Sequence, residues 1–105
     1  MPNIQFNYRY RDSGNYKKYG FVIFANPENL ELPEVERRIR SKLIDGEWFY
    51  AEEWDLPELF FECIDFRIDP TWHEFESVEC TEEMPTAGIS ITQFKQLIEK
   101  TNYPQ

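Results

Sequence analysis

The residue types best suited to chemistry are concentrated in residues 63–80. This stretch holds both cysteines, the only histidine, His73, and one of the three tryptophans, Trp72. A Ser-His-Asp triad or a Cys-His pair would have to use His73, because the chain contains no other imidazole. A single histidine just after a Pro-Thr turn is more typical of a structural side chain that bonds a backbone carbonyl. The sequence therefore identifies no catalytic residue.

Metal chemistry has little support in the same stretch. Asp65, Asp69, Glu74 and Glu76 would share one face if their strands paired, and such oxygen ligands suit Mg²⁺ or Ca²⁺. Their spacing matches no calcium loop, and two cysteines with one histidine are too few for a zinc site. We interpret these acids as a solvated face and expect no metal or cofactor. The cysteines, which match no redox spacing, are expected to be reduced and buried.

Charge is distributed unevenly along the chain. The net charge is −9, and residues 45–83 carry fourteen acidic side chains against one basic side chain, Arg67. Residues 8–18 interleave aromatic and basic side chains, a composition that would suit stacking on single-stranded bases. Strand alternation explains that pattern equally well, and so acidic a segment repels a phosphate backbone. The sequence therefore disfavours nucleic acid and favours a partner with a basic protein surface.

Large aromatic side chains are dense in the same acidic segment. They are Trp48, Phe49, Tyr50, Trp54, Phe60, Phe61 and Trp72. Some of these rings must enter the core, but an exposed ring surrounded by acids resembles the anchor of a protein interface. Trp54 and Trp72 are therefore candidate binding residues.

Length and composition indicate one folded domain over residues 1–105. The chain is 41% hydrophobic and 17% aromatic, which is too much apolar surface for a disordered protein. The first residues contain no apolar run of the kind found in signal peptides. No stretch approaches the roughly 18 apolar residues of a membrane span. We expect a cytoplasmic protein that does not bind membranes.

The first half of the chain predicts a hairpin followed by a helix. Residues 4–11 alternate between apolar and polar types, and a dense turn signal follows at residues 12–15. Residues 19–25 are apolar at both odd and even positions, which predicts a central strand buried on both faces. A helix is expected from Pro33 to Gly46, because an apolar stripe and a terminal glycine mark its face and its end.

The second half predicts a short strand at residues 47–50, then a hairpin and a final helix. Residues 64–68 alternate, and residues 73–80 are their expected antiparallel partner, with a bulge or an edge position explaining a break in alternation. Ser90 and Gln93 form a capping-box pattern that opens the last helix. The fold class is therefore α+β, with an antiparallel sheet of four or five strands and two helices in the order ββα-βββα.

Several short motifs resemble those of a family of small uncharacterised bacterial proteins. They are Tyr10-Arg11-Asp12 with Asn15-Tyr16-Lys17, Asp45-Gly46-Glu47 with Leu56-Pro57, and Trp72-His73-Glu74 with Glu79-Cys80-Thr81. The resemblance spans most of the chain but implies no activity, cofactor or partner. It implies a bacterial source, and it suggests that the hairpin tip and the Trp72-His73-Glu74 corner act together.

Three functional hypotheses follow, and the third, a structural subunit of a larger assembly, names no site residues. The favoured one is a small acidic binding or regulatory module, comparable to an immunity or inhibitor protein, that engages a basic protein. The alternative is a small enzyme or anion-binding protein with a site between the hairpin tip, residues 10–17, and the Trp72-His73-Glu74 corner, where His73 would act as acid or base. Together they mark eight candidate binding residues: Arg11, Asp12, Asn15, Lys17, Trp54, Trp72, His73 and Glu74.

Overall fold

In the computed structural model, which describes residues 2–101, the chain forms one four-stranded antiparallel sheet and two helices. The elements are β1 (Asn3–Arg11), β2 (Lys17–Phe24), α1 (Leu32–Ser41), β3 (Trp48–Phe49), β4 (His73–Thr81) and α2 (Ile91–Glu99). The strands lie in the order β2-β1-β4-β3. This arrangement confirms the α+β class with four strands and two helices.

The core lies on one face of the sheet. Successive side chains of a strand point to opposite faces, so every second residue of β1, from Ile4 to Tyr10, is buried. Phe6 is paired with Val22 of β2 and with Val78 of β4, and all three side chains are buried. The buried residues of three strands therefore share one face, and the polar residues of β1 occupy the other.

A β-bulge keeps the apolar residues of β4 on the core face. Asn7 is paired with Ser77, whereas Tyr8 is paired with Phe75, so Glu76 is an extra residue in β4. The extra residue shifts the alternation by one position, and Phe75 and Val78 are therefore both buried. The predicted bulge is confirmed, and the predicted edge position is confirmed in part, because β3 pairs only with residues 73–74 of β4 and no strand within residues 2–101 pairs with the outer side of residues 76–81.

Phe6 lies at the centre of an aromatic core. Its ring centroid is 5.2–6.5 Å from the rings of Tyr8, Phe49, Trp54, Phe75 and Phe94. Trp54 stacks on Phe49 with centroids 4.8 Å apart, and its indole N–H donates to Thr101 Oγ1 at 2.9 Å. Trp54 is fully buried in this core and so is not one of the exposed rings that the interface hypothesis requires.

Both helices pack on the core face, and both begin as predicted. Pro33 lies in the first turn of α1, and Ser90 and Gln93 form both hydrogen bonds of a capping box at α2. The end of α1 was predicted wrongly, because the helix stops at Ser41. Gly46 instead takes a φ of 72° in the turn before β3, a conformation that suits glycine.

Two strand predictions are also wrong. Residues 64–68 form turns, and β4 pairs with β1 and β3 rather than with that segment. β4 is paired with β1 along its length and with β3 at residues 73–74, and no strand within residues 2–101 pairs with the rest of its outer edge. β2 lies at the edge of the sheet, and its residues Tyr19 and Phe21 are exposed rather than covered on both faces.

The contrast between two tryptophans provides a test of this core. Trp54→Ala is expected to lower the free energy of unfolding by about 3–5 kcal/mol, because it removes a fully buried indole. Trp72→Ala, at a side chain that is 40% exposed, is expected to cost less than about 1 kcal/mol. Urea unfolding followed by far-UV circular dichroism measures both values. Equal losses for the two variants would contradict the assignment of Trp54 to the core.

Candidate functional site

The pairing of β1 with β4 brings the hairpin tip to the Trp72-His73-Glu74 corner. Arg9 is paired directly with Glu74, and its Nε donates to Glu74 Oε1 at 2.6 Å. Arg11 donates to both carboxylate oxygens of Glu74, through Nε at 3.1 Å and Nη2 at 3.2 Å. Two segments more than 60 residues apart in the chain are thus joined by one carboxylate. The sequence suggestion that tip and corner lie together agrees with this geometry.

The Glu74 carboxylate is held in its charged form by its neighbours. Partial burial acts to raise the pKa of Glu74, but hydrogen bonds from Arg9, Arg11 and the Trp48 indole outweigh burial and lower it. The same pairing raises the pKa of Arg9. Glu74 therefore engages Arg11 in hydrogen bonds, although its single carboxylate is shared by two guanidinium groups and leaves one positive charge of the trio unbalanced.

The other candidate residues at the hairpin tip have structural contacts. Asn15 adopts a φ of 67°, and its side-chain oxygen accepts from Arg11 Nη1 at 2.6 Å. Asp12 Oδ1 accepts the backbone N–H of Tyr16 at 2.9 Å, which closes the turn. Lys17 begins β2 and is exposed, and it forms no ion pair within residues 2–101. These contacts stiffen the tip rather than form a ligand cradle.

A cleft of about 570 Å³ lies where the tip and the corner meet. Arg11, Asp12 and Glu74 form part of its wall, and the rings of Trp48 and Trp72, with centroids 6.4 Å apart, form another part. The segment of residues 66–72 completes the wall. The cleft therefore combines large apolar surfaces with charges that are already paired.

Asp69 anchors that segment to the hairpin tip. Its Oδ1 accepts the backbone N–H and the hydroxyl of Ser13 at 2.9 and 2.7 Å, and its Oδ2 accepts the backbone N–H of Asp65 at 2.9 Å. These hydrogen bonds lower the pKa of Asp69. The hydroxyl of Tyr10 donates to the carbonyl of Pro70 at 2.7 Å. Residues 66–72 are thus anchored to β1 and to the turn that follows it through Asp69 and Pro70.

This segment presents the exposed side chains that the sequence interpretation missed. Phe66 and Ile68 were expected to face the core from a strand, but they are 59% and 68% exposed. Together with Trp72 they form a surface group that we name the 66–72 cluster. The signal that could have found it is the spacing of Asp65, Asp69 and Pro70, residue types that favour turns over a strand.

His73 is part of the core rather than of the cleft surface. It is fully buried, and its ring lies 5.2 Å from those of Tyr10 and Phe60. Its Nε2 accepts the backbone N–H of Leu59 at 2.9 Å, so the expected bond to a backbone carbonyl is replaced by a bond from a backbone amide. The neutral ring therefore carries its proton on Nδ1, which has no hydrogen-bond partner within residues 2–101. Burial lowers the pKa of His73 to about 4.

The cysteines differ from expectation in one respect. Cys63 and Cys80 are free thiols, but both are exposed rather than buried. Cys63 is exposed because residues 62–63 lie in a turn instead of leading into a strand. Within the described part of the chain, no group of three or more His, Cys, Asp or Glu side chains is arranged to hold a metal ion.

Comparisons with known proteins give the chain no relatives. No family model, curated protein or solved structure matches it. Neither helix within residues 2–101 has the length and apolar character needed to cross a bilayer.

The Glu74 bridge leads to a stability prediction. Glu74→Gln is expected to lower the free energy of unfolding by about 1–3 kcal/mol, because two partly buried guanidinium groups lose their shared counter-charge. The measurement is urea unfolding at neutral pH. The matched control is Glu34→Gln, which removes an exposed helical ion pair with Arg37 and is expected to cost much less. Equal effects would contradict a special role for the Glu74 bridge.

The buried histidine leads to a pH prediction. The pKa of His73 is about 4 in the folded chain, against an ordinary value of 6.5, so the unfolded chain takes up its proton first as the pH falls. The stability contributed by neutral His73 is complete above about pH 6.5 and is lost between that pH and about 4. The expected loss between pH 7 and pH 5 is about 2 kcal/mol. Urea unfolding at the two pH values measures it.

His73→Gln is the control for this pH effect, since glutamine keeps a hydrogen-bond acceptor but does not titrate. The variant should be less stable at both pH values, yet lose about 2 kcal/mol less than the wild type on acidification. Titration of the single imidazole by NMR gives an independent value. A folded-state pKa near 6.5 would contradict the burial of His73.

Proposed function

We propose that this protein is a small acidic binding module that docks a basic protein partner through the 66–72 cluster, in the manner of an immunity or inhibitor protein. The observation that carries the proposal is the exposure of Phe66, Ile68 and Trp72 in the most acidic part of the chain. Scattered exposed apolar residues are ordinary on a protein surface. A group of three beside an aromatic-lined cleft is typical of interaction sites.

Core packing and hydrogen bonds hold the backbone of the 66–72 cluster in place, which suits a docking role. Phe66 packs edge-on against Phe60, with ring centroids 5.3 Å apart, and Phe60 in turn packs against the buried rings of Tyr10 and His73. The segment is also fastened by Asp69 and by the carbonyl of Pro70. A partner would therefore meet apolar side chains on a supported backbone, which reduces the entropy lost on binding.

The charges near the cluster favour a basic partner. Phe66 and Thr71 also line a second hollow, of about 250 Å³, whose wall includes Glu52 and Glu58. Both glutamates are exposed, and neither forms an ion pair within residues 2–101. The nearby cations are ion-paired, since Arg67 pairs with Asp65, and Arg11 pairs with Glu74, a carboxylate that it shares with Arg9. Uncompensated negative charge next to an apolar anchor steers and orients a positively charged surface.

The alternative, a small-molecule or anion site in the same cleft, has one observation in its favour. The cleft does join the hairpin tip to the Trp72-Glu74 corner, and its two indole rings could enclose a flat ligand. Its chemistry is less favourable, because Arg11 is already paired with Glu74. His73 is fully buried and neutral, so it is poorly placed to act as an acid or base on a ligand. We therefore place the docking function first.

Affinity capture with matched variants tests the proposal. Immobilised wild type is expected to retain a basic protein from a bacterial lysate, and Phe66→Ser/Trp72→Ser is expected to lose it, with affinity for the purified partner falling at least about tenfold. The matched control is Met84→Ser, which removes an exposed apolar side chain that lies outside the 66–72 cluster. Retention by the double variant, or loss by the control as well, would overturn the assignment to the 66–72 cluster.

Charge variants test the electrostatic part with the same purified partner. Glu52→Lys/Glu58→Lys is expected to weaken binding and to flatten its dependence on salt, because exposed charges act within about 10 Å at moderate ionic strength. Glu28→Lys/Glu31→Lys changes the net charge equally at another site and is expected to have a smaller effect. A partner that binds both double variants equally, and is indifferent to salt, would rule out an acidic docking surface.

A further inference from the structure

The exposed apolar side chains fall into two groups, and only one is the 66–72 cluster. Within residues 2–101 the second group comprises Tyr16, Tyr19, Phe21 and Met84, which are 55–82% exposed. Tyr16 immediately precedes β2, Tyr19 and Phe21 lie in it, and Met84 belongs to the loop that reaches its other end. We name this group the β2 edge patch. The proposed docking function leaves it unexplained.

The backbone of β2 is unpaired along the same edge. Alternate residues of an edge strand direct their N–H and C=O groups away from the sheet, and in β2 these are Lys17, Tyr19, Phe21 and Ile23. Ile23 is satisfied, because its carbonyl accepts the N–H groups of Thr86 and Ala87 and its N–H donates to Thr86 Oγ1. The outward groups of Lys17, Tyr19 and Phe21 have no backbone partner within residues 2–101. Such an edge is a template for another strand.

The free edge has a defined length. Residues 86–87 occupy the edge at Ile23, and the turn of residues 12–16 ends the strand on the other side of Lys17. The available stretch is therefore residues 17–21. A long strand would collide with residues 86–87, whereas a strand that itself turns away after five residues would fit. The free stretch of β2 in a second copy has this length, because it is bounded by the same turn at residue 16 and by residues 86–87 at Ile23.

We propose that two copies of this chain pair through antiparallel β2 strands, with Tyr19 opposite Tyr19 of the second copy, to form a continuous eight-stranded sheet. In this register the outward groups of residues 17, 19 and 21 exchange about six hydrogen bonds across the two-fold axis. Lys17 lies opposite Phe21 of the second copy, which places a cation beside an aromatic ring. The two Tyr19 rings become cross-strand neighbours.

The charges at the two ends of the free edge are complementary under the same symmetry. Lys17 and Lys18 lie at one end, and they form no ion pairs within residues 2–101. The loop at the other end carries the exposed Glu82 and Glu83 just before Met84. Antiparallel pairing brings the lysine end of each copy towards the glutamate end of the other, and it separates the two lysine pairs. It also brings Tyr16 of one copy towards Met84 of the other.

The other edge of the sheet does not offer the same partner. β3 contains only two residues, so it exposes too short a ladder to hold a second copy. β2 is therefore the edge that offers apolar side chains to a second copy. Beyond β3, residues 76–81 of β4 form another open edge, but it carries the exposed glutamates Glu76 and Glu79, which disfavour pairing with another strand. Closing the β2 edge by a symmetric contact is one way to prevent open-ended association.

Sedimentation velocity of the full chain over a range of concentrations tests the proposal. Wild type is expected to form a dimer, and Tyr19→Pro is expected to weaken it at least about tenfold. The proline removes an outward N–H that the monomer does not use and leaves the β1–β2 ladder intact. Phe66→Ser is the control and should remain dimeric, which separates this interface from the proposed docking surface. A wild type that stays monomeric throughout would overturn the proposal and leave the edge to another occupant.

Cross-linking tests the register without relying on the proline variant. In a Cys63→Ser/Cys80→Ser background, Tyr19→Cys is expected to form a disulfide-linked dimer with an added oxidant, because hydrogen-bonded antiparallel neighbours have Cα atoms about 5.5 Å apart. Phe21→Cys should not cross-link, since the two residues 21 would lie about 13 Å apart along the strands. Cross-linking of Phe21→Cys, or none with Tyr19→Cys, would overturn the proposed pairing.

Discussion

The antiparallel pairing of β1 with β4 is the contact on which the rest of the structure depends. It joins the start of the chain to a segment some 70 residues later, and it places Phe6 and Tyr8 against Val78 and Phe75. The bulge at Glu76 is essential to this pairing, because without it one of the two β4 side chains would point into solvent. Both helices and Trp54 then cover the face that this pairing creates.

The same pairing decides how residues 56–72 are used. This connection pairs with no strand and lies over the edge of the core instead of joining the sheet. It is held by the contact of Leu59 with His73, by Asp69 with Ser13, and by Tyr10 with Pro70. The connection covers buried rings on its inner side, so its outer side displays Phe66 and Ile68. The position of residues 56–72 over the core therefore both buries the rings beneath them and exposes Phe66 and Ile68.

The 66–72 cluster and the β2 edge patch differ in the charges that surround their exposed apolar side chains. Near the 66–72 cluster the cations are paired and the surrounding carboxylates are largely free, which favours a basic partner. Along β2 the lysines are free and the exposed rings flank an unpaired backbone, which favours a strand with its own complementary ends. The two surfaces use different physical interactions, so a protein of net charge −9 can offer both without one competing with the other.

The sequence by itself determined the elements with strong local signals. The alternation of β1, Pro33 and the capping box at Ser90 each act over a few residues, and each element formed where these signals lie. Tertiary structure decided what local patterns leave open. Residues 64–68 alternate like a strand, but Asp69 and Asp65 hold a turn there, and apolar β2 lies at an edge because no strand within residues 2–101 pairs beyond it. Trp54 and Trp72 have similar acidic neighbours in sequence, and only packing separates a core ring from a surface one.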